Sequence, residues 1–370
     1  MKKYILLLLV VVTLHNRVNA QGCVAIRTLG GLNTMEHATM MHDGTKMVKD
    51  SALWDLNIAY RYFHSYKHFN GTEEQVQRVI DGTEVRNFNR TLDISLARKL
   101  NDQWTIGVAL PIIYNERSSK YEHISNAPTS PRFVTSASGI GDMRITAYKW
   151  LIAPVANSKG NLLAGIGIKL PTGNDQATDQ FHNTLTTTRT GPVDQSIQPG
   201  DGGWGVTLEL NGFRQLTNQW SMYGNAFYLI NPRGNNGVST TRGGVASATA
   251  IKYTSNVMSV PDQYLVRAGF NYSYKTLTTS LGARYECIPT FDLIGDNTGF
   301  RRPGTVIAVE PGVNYAFKKF NLYGYFPIAI FRERNQSYPD ILKTIDTKTF
   351  TRGDAAFADY SLNIGIGYKF

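Results

Sequence analysis

Period-two alternation runs through this chain from residue 54 to its last residue, and it constrains the fold more than any other feature. In 54–66, Trp54, Leu56, Ile58, Tyr60 and Tyr62 share one face, while Asp55, Asn57, Ala59 and Arg61 share the other. In 88–100, Leu92, Ile94 and Leu96 oppose Thr91, Asp93, Ser95 and Ala97. The last segment sets Tyr360, Leu362, Ile364, Ile366, Tyr368 and Phe370 against Asp359, Ser361, Asn363, Gly365, Gly367 and Lys369. Alternation this long is the mark of a strand with two different environments on its two faces. No comparable helical period competes with it, and past residue 14 no apolar run reaches the ~18 residues of a spanning helix.

Twelve strands follow from the pattern: 54–66, 88–100, 103–114, 140–152, 161–172, 203–215, 220–230, 263–274, 277–288, 304–317, 320–331 and 357–370. Their connections alternate in length. Short ones fall at Asn101-Asp102, 153–160, 216–219, Lys275-Thr276 and Lys318-Lys319; long polar ones fall at 67–87, 115–139, 173–202, 231–262, 289–303 and 332–356. An even strand count with loops sorted by parity is the layout of a bacterial outer-membrane barrel. The expected fold is therefore all-β: a transmembrane, antiparallel, up-and-down β-barrel with short periplasmic turns and long extracellular loops. In lipid every strand must pair on both edges, which demands closure. Twelve strands tilted by ~40° enclose a backbone cylinder of roughly 12 Å radius, narrowed by side chains to the scale of a small solute.

The two faces differ in charge. Charged residues are 18% of the chain, below the ~25% of soluble domains. The apolar face carries Leu162, Ala164, Ile166, Ile168 and Leu170, then Trp204, Val206, Leu208 and Leu210, and its few charges (Arg90, Arg98, Lys149) come near strand ends, where they reach the interface. The opposite face holds Arg61, Asp93, Asp142, Arg144 and Lys169, and further on Glu209, Arg267, Arg284, Glu286 and Glu310. These ten are the candidate lumen-lining residues, read either as a ladder bracing the wall or as groups that select a solute by charge. Trp54, Trp104, Trp150 and Trp220 fall together at the turn end, with Trp204 at the other, as an interfacial aromatic girdle requires.

Residues 1–20 read as a signal peptide: Lys2 and Lys3, an apolar stretch from Ile5 to Leu14, and Val18-Asn19-Ala20 for cleavage. Its loss removes Lys2, Lys3 and Arg17 and takes the net charge from +10 to +7. For an exported chain with scattered Lys and Arg, the expected partners are outer-membrane lipid and lipopolysaccharide, the barrel-assembly machinery (through the terminal Tyr368-Lys369-Phe370) and a small-molecule solute, with no nucleic acid. The segment 21–53 reads as a plug folded into the lumen or as an unstructured periplasmic leader. A Cu(I) site on Met35, His37, Met40, Met41, His42 and Met47 is the sharper alternative; no metal or cofactor is assigned. Cys23 and Cys287 leave one bridge open as an option.

Three short motifs stand in order: Gly139-Ile140-Gly141-Asp142, Lys169-Leu170-Pro171-Thr172-Gly173-Asn174 and Pro199-Gly200-Asp201-Gly202-Gly203-Trp204-Gly205. Read on their own, Gly139 and Gly141 allow positive φ where a loop re-enters the wall, and Pro171 ends strand pairing. Together they resemble the outer-membrane barrel family named for the meta-pathway of phenol degradation, often called "transporter" proteins, with Asn174 where an acidic residue is commoner. That resemblance implies passage of small hydrophobic or aromatic compounds and supplies no catalytic residues.

The sequence argues against an enzyme. His37, His42, His68, His123 and His182 lie outside the expected strands, and His64, beside Ser65, is on the opposite face of its strand from the only nucleophile near it. The expected function is a diffusive channel for small, hydrophobic or aromatic solutes; the alternative is a structural or adhesive barrel with a plugged lumen and partner-binding loops.

Overall fold

The computed structural model describes residues 53–152 and 159–370. The expected signal peptide, the plug or leader 21–53 except for Leu53, its Met and His residues and Cys23 lie outside the described residues.

The strands are β1 (Trp54–Asn70), β2 (Arg86–Lys99), β3 (Trp104–Ser119), β4 in two stretches (Phe133–Ile140 and Met143–Trp150), β5 (Gly160–Leu170) and β6 (Gly205–Gln215). After them come β7 (Trp220–Ile230), β8 (Gln263–Tyr274), β9 (Leu277–Ile288), β10 (Gly304–Phe317), β11 in two stretches (Phe320–Tyr325 and Ile328–Arg334) and β12 (Ala355–Lys369). Each pairs antiparallel with its sequence neighbours, and β12 returns to β1 from Asp55↔Lys369 to Phe69↔Ala355. The sheet is a closed, twelve-stranded, up-and-down barrel, as the parity of the loops requires.

Several boundaries differ from the sequence reading: β5 and β6 stop two residues short of their expected loop-side ends, and three strands overrun theirs. β1, β3 and β4 run past their expected loop-side ends, so His68 lies in β1 and not in a loop, and much of the expected 115–139 loop is strand. Alternation ends where both faces become wet, while backbone pairing continues; hydropathy therefore underestimates strand length beyond the membrane. β4 is interrupted at Gly141-Asp142 and β11 at Phe326-Pro327, where Pro327 has no N–H to give the ladder. A ten-residue helix within the 332–356 loop (Tyr338–Thr347) was not anticipated; Ser337 and Asp340 form its capping box, and Pro339 sits in its first turn.

The interior is polar. Asn57, Arg61, Thr91, Asn115, Glu310 and Asn314 are all buried, while Ile166, Ile168, Leu208, Leu281 and Ile330 are exposed. Bulk is admitted to the bore where a glycine faces it: a Cβ on Gly165 would sit 2.7 Å from the Tyr148 ring, and one on Gly365 would collide with the Tyr323 ring. At the turn end, Trp54 stacks on Phe370 at 6.5 Å, Arg98 lies over Trp54 at 5.2 Å and Lys149 over Trp104 at 5.1 Å. Those outward cations sit in the aromatic girdle. Ile166, Ile168 and Leu208 are exposed side chains of this apolar belt, and Ile166→Arg is expected to cost ~2–4 kcal/mol where that face meets acyl chains. The measurement is the unfolding midpoint in lipid vesicles; an unchanged midpoint would mean that this face does not meet lipid.

Candidate functional site: a loop stapled inside the bore

The three sequence motifs meet at one point. The Asp142 carboxylate, at the interruption of β4, accepts the N–H of Gly173 at 3.0 Å and of Asp201 at 3.2 Å. Thr172 donates its hydroxyl to the Gly141 carbonyl at 2.8 Å and accepts the Met143 N–H at 2.9 Å. Lys169, on β5, pairs with Asp201 and lies 3.8 Å from Asp142. The two ends of the 173–202 loop are so close that a Cβ on Gly173 would lie 2.7 Å from Gly200 Cα; glycine is needed there for space. Gly139 has a φ of +149 as expected, whereas Gly141 is not among the positive-φ residues. The N–H of Gly141 instead donates to the Pro111 carbonyl at 2.7 Å, keeping β4 fastened to β3 through the break.

Stapled at its base, the loop turns inward. Val193, Asp194, Ser196, Ile197 and Gln198 are all buried. Two inward asparagines of the wall hold its backbone, Asn89 donating to the Ser196 carbonyl at 3.3 Å and Asn115 to that of Ile197 at 3.4 Å. Asp194 receives both guanidinium branches of Arg302, at 2.9 and 2.6 Å, and lies 3.5 Å from Arg117. Arg117 also bonds Glu122 at 3.0 Å, and Arg242 reaches the same carboxylate at 3.1 Å. Bidentate, buried pairs of this kind fix geometry as well as adding energy. The loop is thereby a fixed constriction.

Beneath it is a cavity of about 130 Å³. Of the ten candidate lumen residues, Arg61, Asp142, Arg144 and Lys169 line it. Glu209 accepts from the Tyr148 hydroxyl at 3.1 Å, and together with Asp93 it is a carboxylate facing Arg144. The other four form a separate network in the wall: Glu310 pairs with Arg267 at 2.9 Å and Arg284 at 3.2 Å, and Arg284 pairs with Glu286 at 2.7 Å. The sequence reading left bracing and solute selection as alternatives for all ten; their placement separates four at the cavity from four that tie β8, β9 and β10 together. Arg117, Glu122, Asp194, Arg301 and Arg302 were missed. They lie in or beside loops with no period to mark them, and the Arg301-Arg302 doublet was the only local signal.

His64 and Ser65 face opposite sides of β1: His64 stacks on Phe88 at 4.3 Å, while Ser65 accepts from Asn87 at 2.9 Å. His68 is inward and 2.7 Å from Asp354. The partners of the His68 ring are the Asp354 carboxylate and the Val85 N–H.

Above the constriction, His123 packs against Phe133 and Phe181, and its Nδ1 accepts the backbone N–H of His182 at 3.0 Å. Burial holds its imidazole down at about 4, with His182, Arg189 and Arg242 acting in the same direction and Glu122 against. The unfolded imidazole binds its proton near the usual 6.5. Between that value and about 4 the unfolded loop binds more protons, so the loop's stability falls as pH falls through that window and is flat below it. Hydrogen-exchange protection factors, corrected for the intrinsic rate at each pH, are expected to fall in 120–133 and 178–192 from pH 7 to 4.5, and His123→Phe to remove most of the step. Equal pH dependence in the variant would assign the effect elsewhere.

The fold is thus that of a transmembrane β-barrel, with a stapled, charged constriction as its distinguishing site. No protein-family description matches the chain, and no curated protein does. Among solved structures it is similar to an outer membrane channel from Pseudomonas putida F1, with a TM-score of 0.56 at 13% identity over 86% of this chain and 96% of that one. The translocator domain of the autotransporter NalP from Neisseria meningitidis gives 0.44 at 13% identity over 91% and 94%. A Pseudomonas aeruginosa FadL homologue gives 0.43 at 10% over 90% and 92%. The first likeness speaks for the fold alone, and the other two add nothing to it.

Proposed function

We propose that the protein is an outer-membrane channel of a Gram-negative bacterium that passes small solutes by diffusion, with the 173–202 loop as its constriction. The observation that carries this reading is a charged cavity inside a closed barrel whose outer belt is apolar. An apolar belt with aromatic girdles belongs in a bilayer, and the signal peptide read at 1–20 agrees with export. A wall built only to hold loops has no need of an internal cavity lined by side chains of both charges, the kind of lining by which pores set selectivity. The fold it shares with an outer membrane channel supports the same reading. The order of the three motifs favours the phenol-degradation-like "transporter" family and, with it, small hydrophobic or aromatic compounds. Lipopolysaccharide would meet the outer belt, and the assembly machinery the Tyr368-Lys369-Phe370 end.

The mechanism needs no energy coupling: a solute enters between the loops, passes the constriction and leaves at the turn end. Purified full-length protein in planar bilayers and liposomes tests this, by single-channel conductance and by swelling in small solutes. Flux is the expected result. Its absence, in the full chain and after deletion of 21–50, would favour a structural or adhesive barrel.

A further inference from the structure

The apolar surface of the barrel continues past the strand ends in one place. In the 289–303 connection, Phe291 is 53% exposed, Leu293 66% and Ile294 54%. Single apolar residues scattered over a surface mean little, but three within four positions make a patch. The loop presents them rigidly. Asp292, between them, has a fully buried side chain that grips Arg301 with both oxygens, at 2.7 and 2.6 Å. Thr290, just before, is buried and donates its hydroxyl to the Gln336 carbonyl at 2.7 Å. Polar members of the segment are turned into the protein, and the apolar ones are left outside.

Asp262, immediately before β8, ties this patch to the lipid-facing belt. One of its carboxylate oxygens accepts both the Leu293 N–H at 2.8 Å and the Tyr228 hydroxyl at 3.0 Å. Tyr228 is an outward residue of β7, between the buried Phe227 and Leu229. Its ring stacks on Tyr264 at 5.5 Å, and Tyr264 stacks on Tyr285 at 6.0 Å. Leu293 therefore begins where the outer aromatic rim of β7, β8 and β9 ends. The wall is also short here: β5, β6 and β7 have 11 residues each, against 17 in β1 and 16 in β3. At ~3.3 Å per residue and ~40° tilt, 11 residues rise roughly 28 Å and 17 roughly 43 Å, beside a hydrocarbon core of ~30 Å. On the short side the strands end at about the lipid boundary, and a loop stands above them.

We propose that Phe291, Leu293 and Ile294 insert into the lipid of the outer leaflet, as a rigid anchor that extends the apolar belt above the short side of the barrel. Lipid is the occupant because the patch is bonded, through Asp262, to a ring of side chains that already faces lipid. The anchor fixes the height at which this side of the barrel rides in the leaflet. It depends on the barrel lying in a bilayer and not on whether any solute passes through it.

The test is spin-label accessibility of the full-length barrel in dimyristoyl phosphatidylcholine vesicles. Single nitroxide labels are placed at Phe291→Cys, Leu293→Cys and Ile294→Cys on a Cys23→Ser background, the fully buried Cys287 staying in place. Relaxation by oxygen, which partitions into lipid, is compared with relaxation by a water-soluble nickel chelate. Two exposed residues serve as references: Leu281, 59% exposed in the belt, and Leu185, 72% exposed at the tip of the 178–192 hairpin. The oxygen-to-nickel ratio at 291, 293 and 294 is expected to be several-fold above that at 185 and to approach that at 281. All three substituted side chains are exposed, and each site reads independently, so one variant that fails to fold leaves the others to decide. Ratios equal to the value at 185 would overturn the proposal, since the patch would then stand in water and await a protein or a solute. Labels reached by neither reagent would overturn it too, by placing the segment inside the protein.

Discussion

Replacing Asp142 with alanine is expected to raise the single-channel conductance several-fold while the barrel stays closed. The carboxylate is the common acceptor for both ends of the inserted loop, Gly173 and Asp201. Its loss leaves two N–H groups without an acceptor, at ~1–3 kcal/mol each if they stay buried, a cost the loop avoids by swinging into water. The wall does not need the carboxylate, because Met143↔Leu170 and Arg144↔Lys169 are paired through the backbone. Asp142→Asn keeps one acceptor oxygen and is expected to fall between the two. The checks are conductance in planar bilayers and hydrogen exchange of 193–201. Unchanged conductance with unchanged protection of the loop would show that Asp142 is not what holds it in.

The second large effect is in the wall. Glu310→Gln is expected to destabilise the barrel by ~3–5 kcal/mol, the range for removing one partner from a buried charge network. Glu310 is fully buried and is the shared partner of Arg267 and Arg284, and Arg267 also lies over the Tyr325 ring at 4.7 Å. Removing its charge takes from Arg267 and Arg284 the carboxylate they share and leaves two neighbouring guanidinium groups repelling each other inside the barrel. Glu286 pairs with Arg284, which keeps Glu310 when Glu286 is neutralised, so Glu286→Gln is expected to cost distinctly less. Heat-dependent migration in SDS gels reads both, as the temperature at which the fast folded band is lost. Equal shifts for the two variants would mean that the network does not hinge on Glu310.

Arg61 and Arg144 were visible as inward residues from their place in the alternation. That they share one cavity with Arg301 and Arg302 was not visible, because the latter pair lies in a loop more than 150 residues further along.

The staple shows the same division at closer range. Its three motifs were recognisable as turns and strand ends, and their order was noted, but nothing in them says that Asp142 bonds Gly173 and Asp201. A carboxylate after Gly-x-Gly reads equally well as a solvated strand start. Loop 173–202 reads as a long polar excursion, and its burial depends on asparagines at 89 and 115 that are ordinary inward residues in their own strands. The helix at Tyr338–Thr347 escaped for a different reason: it is ten residues long and lies in a loop, where one short apolar stripe is lost among polar neighbours.

What the sequence determined by itself is the wall. Each strand sits between two solvents, so its own alternation records which side chains meet lipid and which meet water, and the parity of loop lengths records the direction of each crossing. These are local properties, and closure follows from them because no strand edge can be left bare in lipid. The contents of the bore were decided only in three dimensions. Closing the wall is what brings residues 61, 142, 169, 194 and 302 within reach of one another. Once they are enclosed, each buried charge must find a partner, and the loop that supplies the partners is drawn inside.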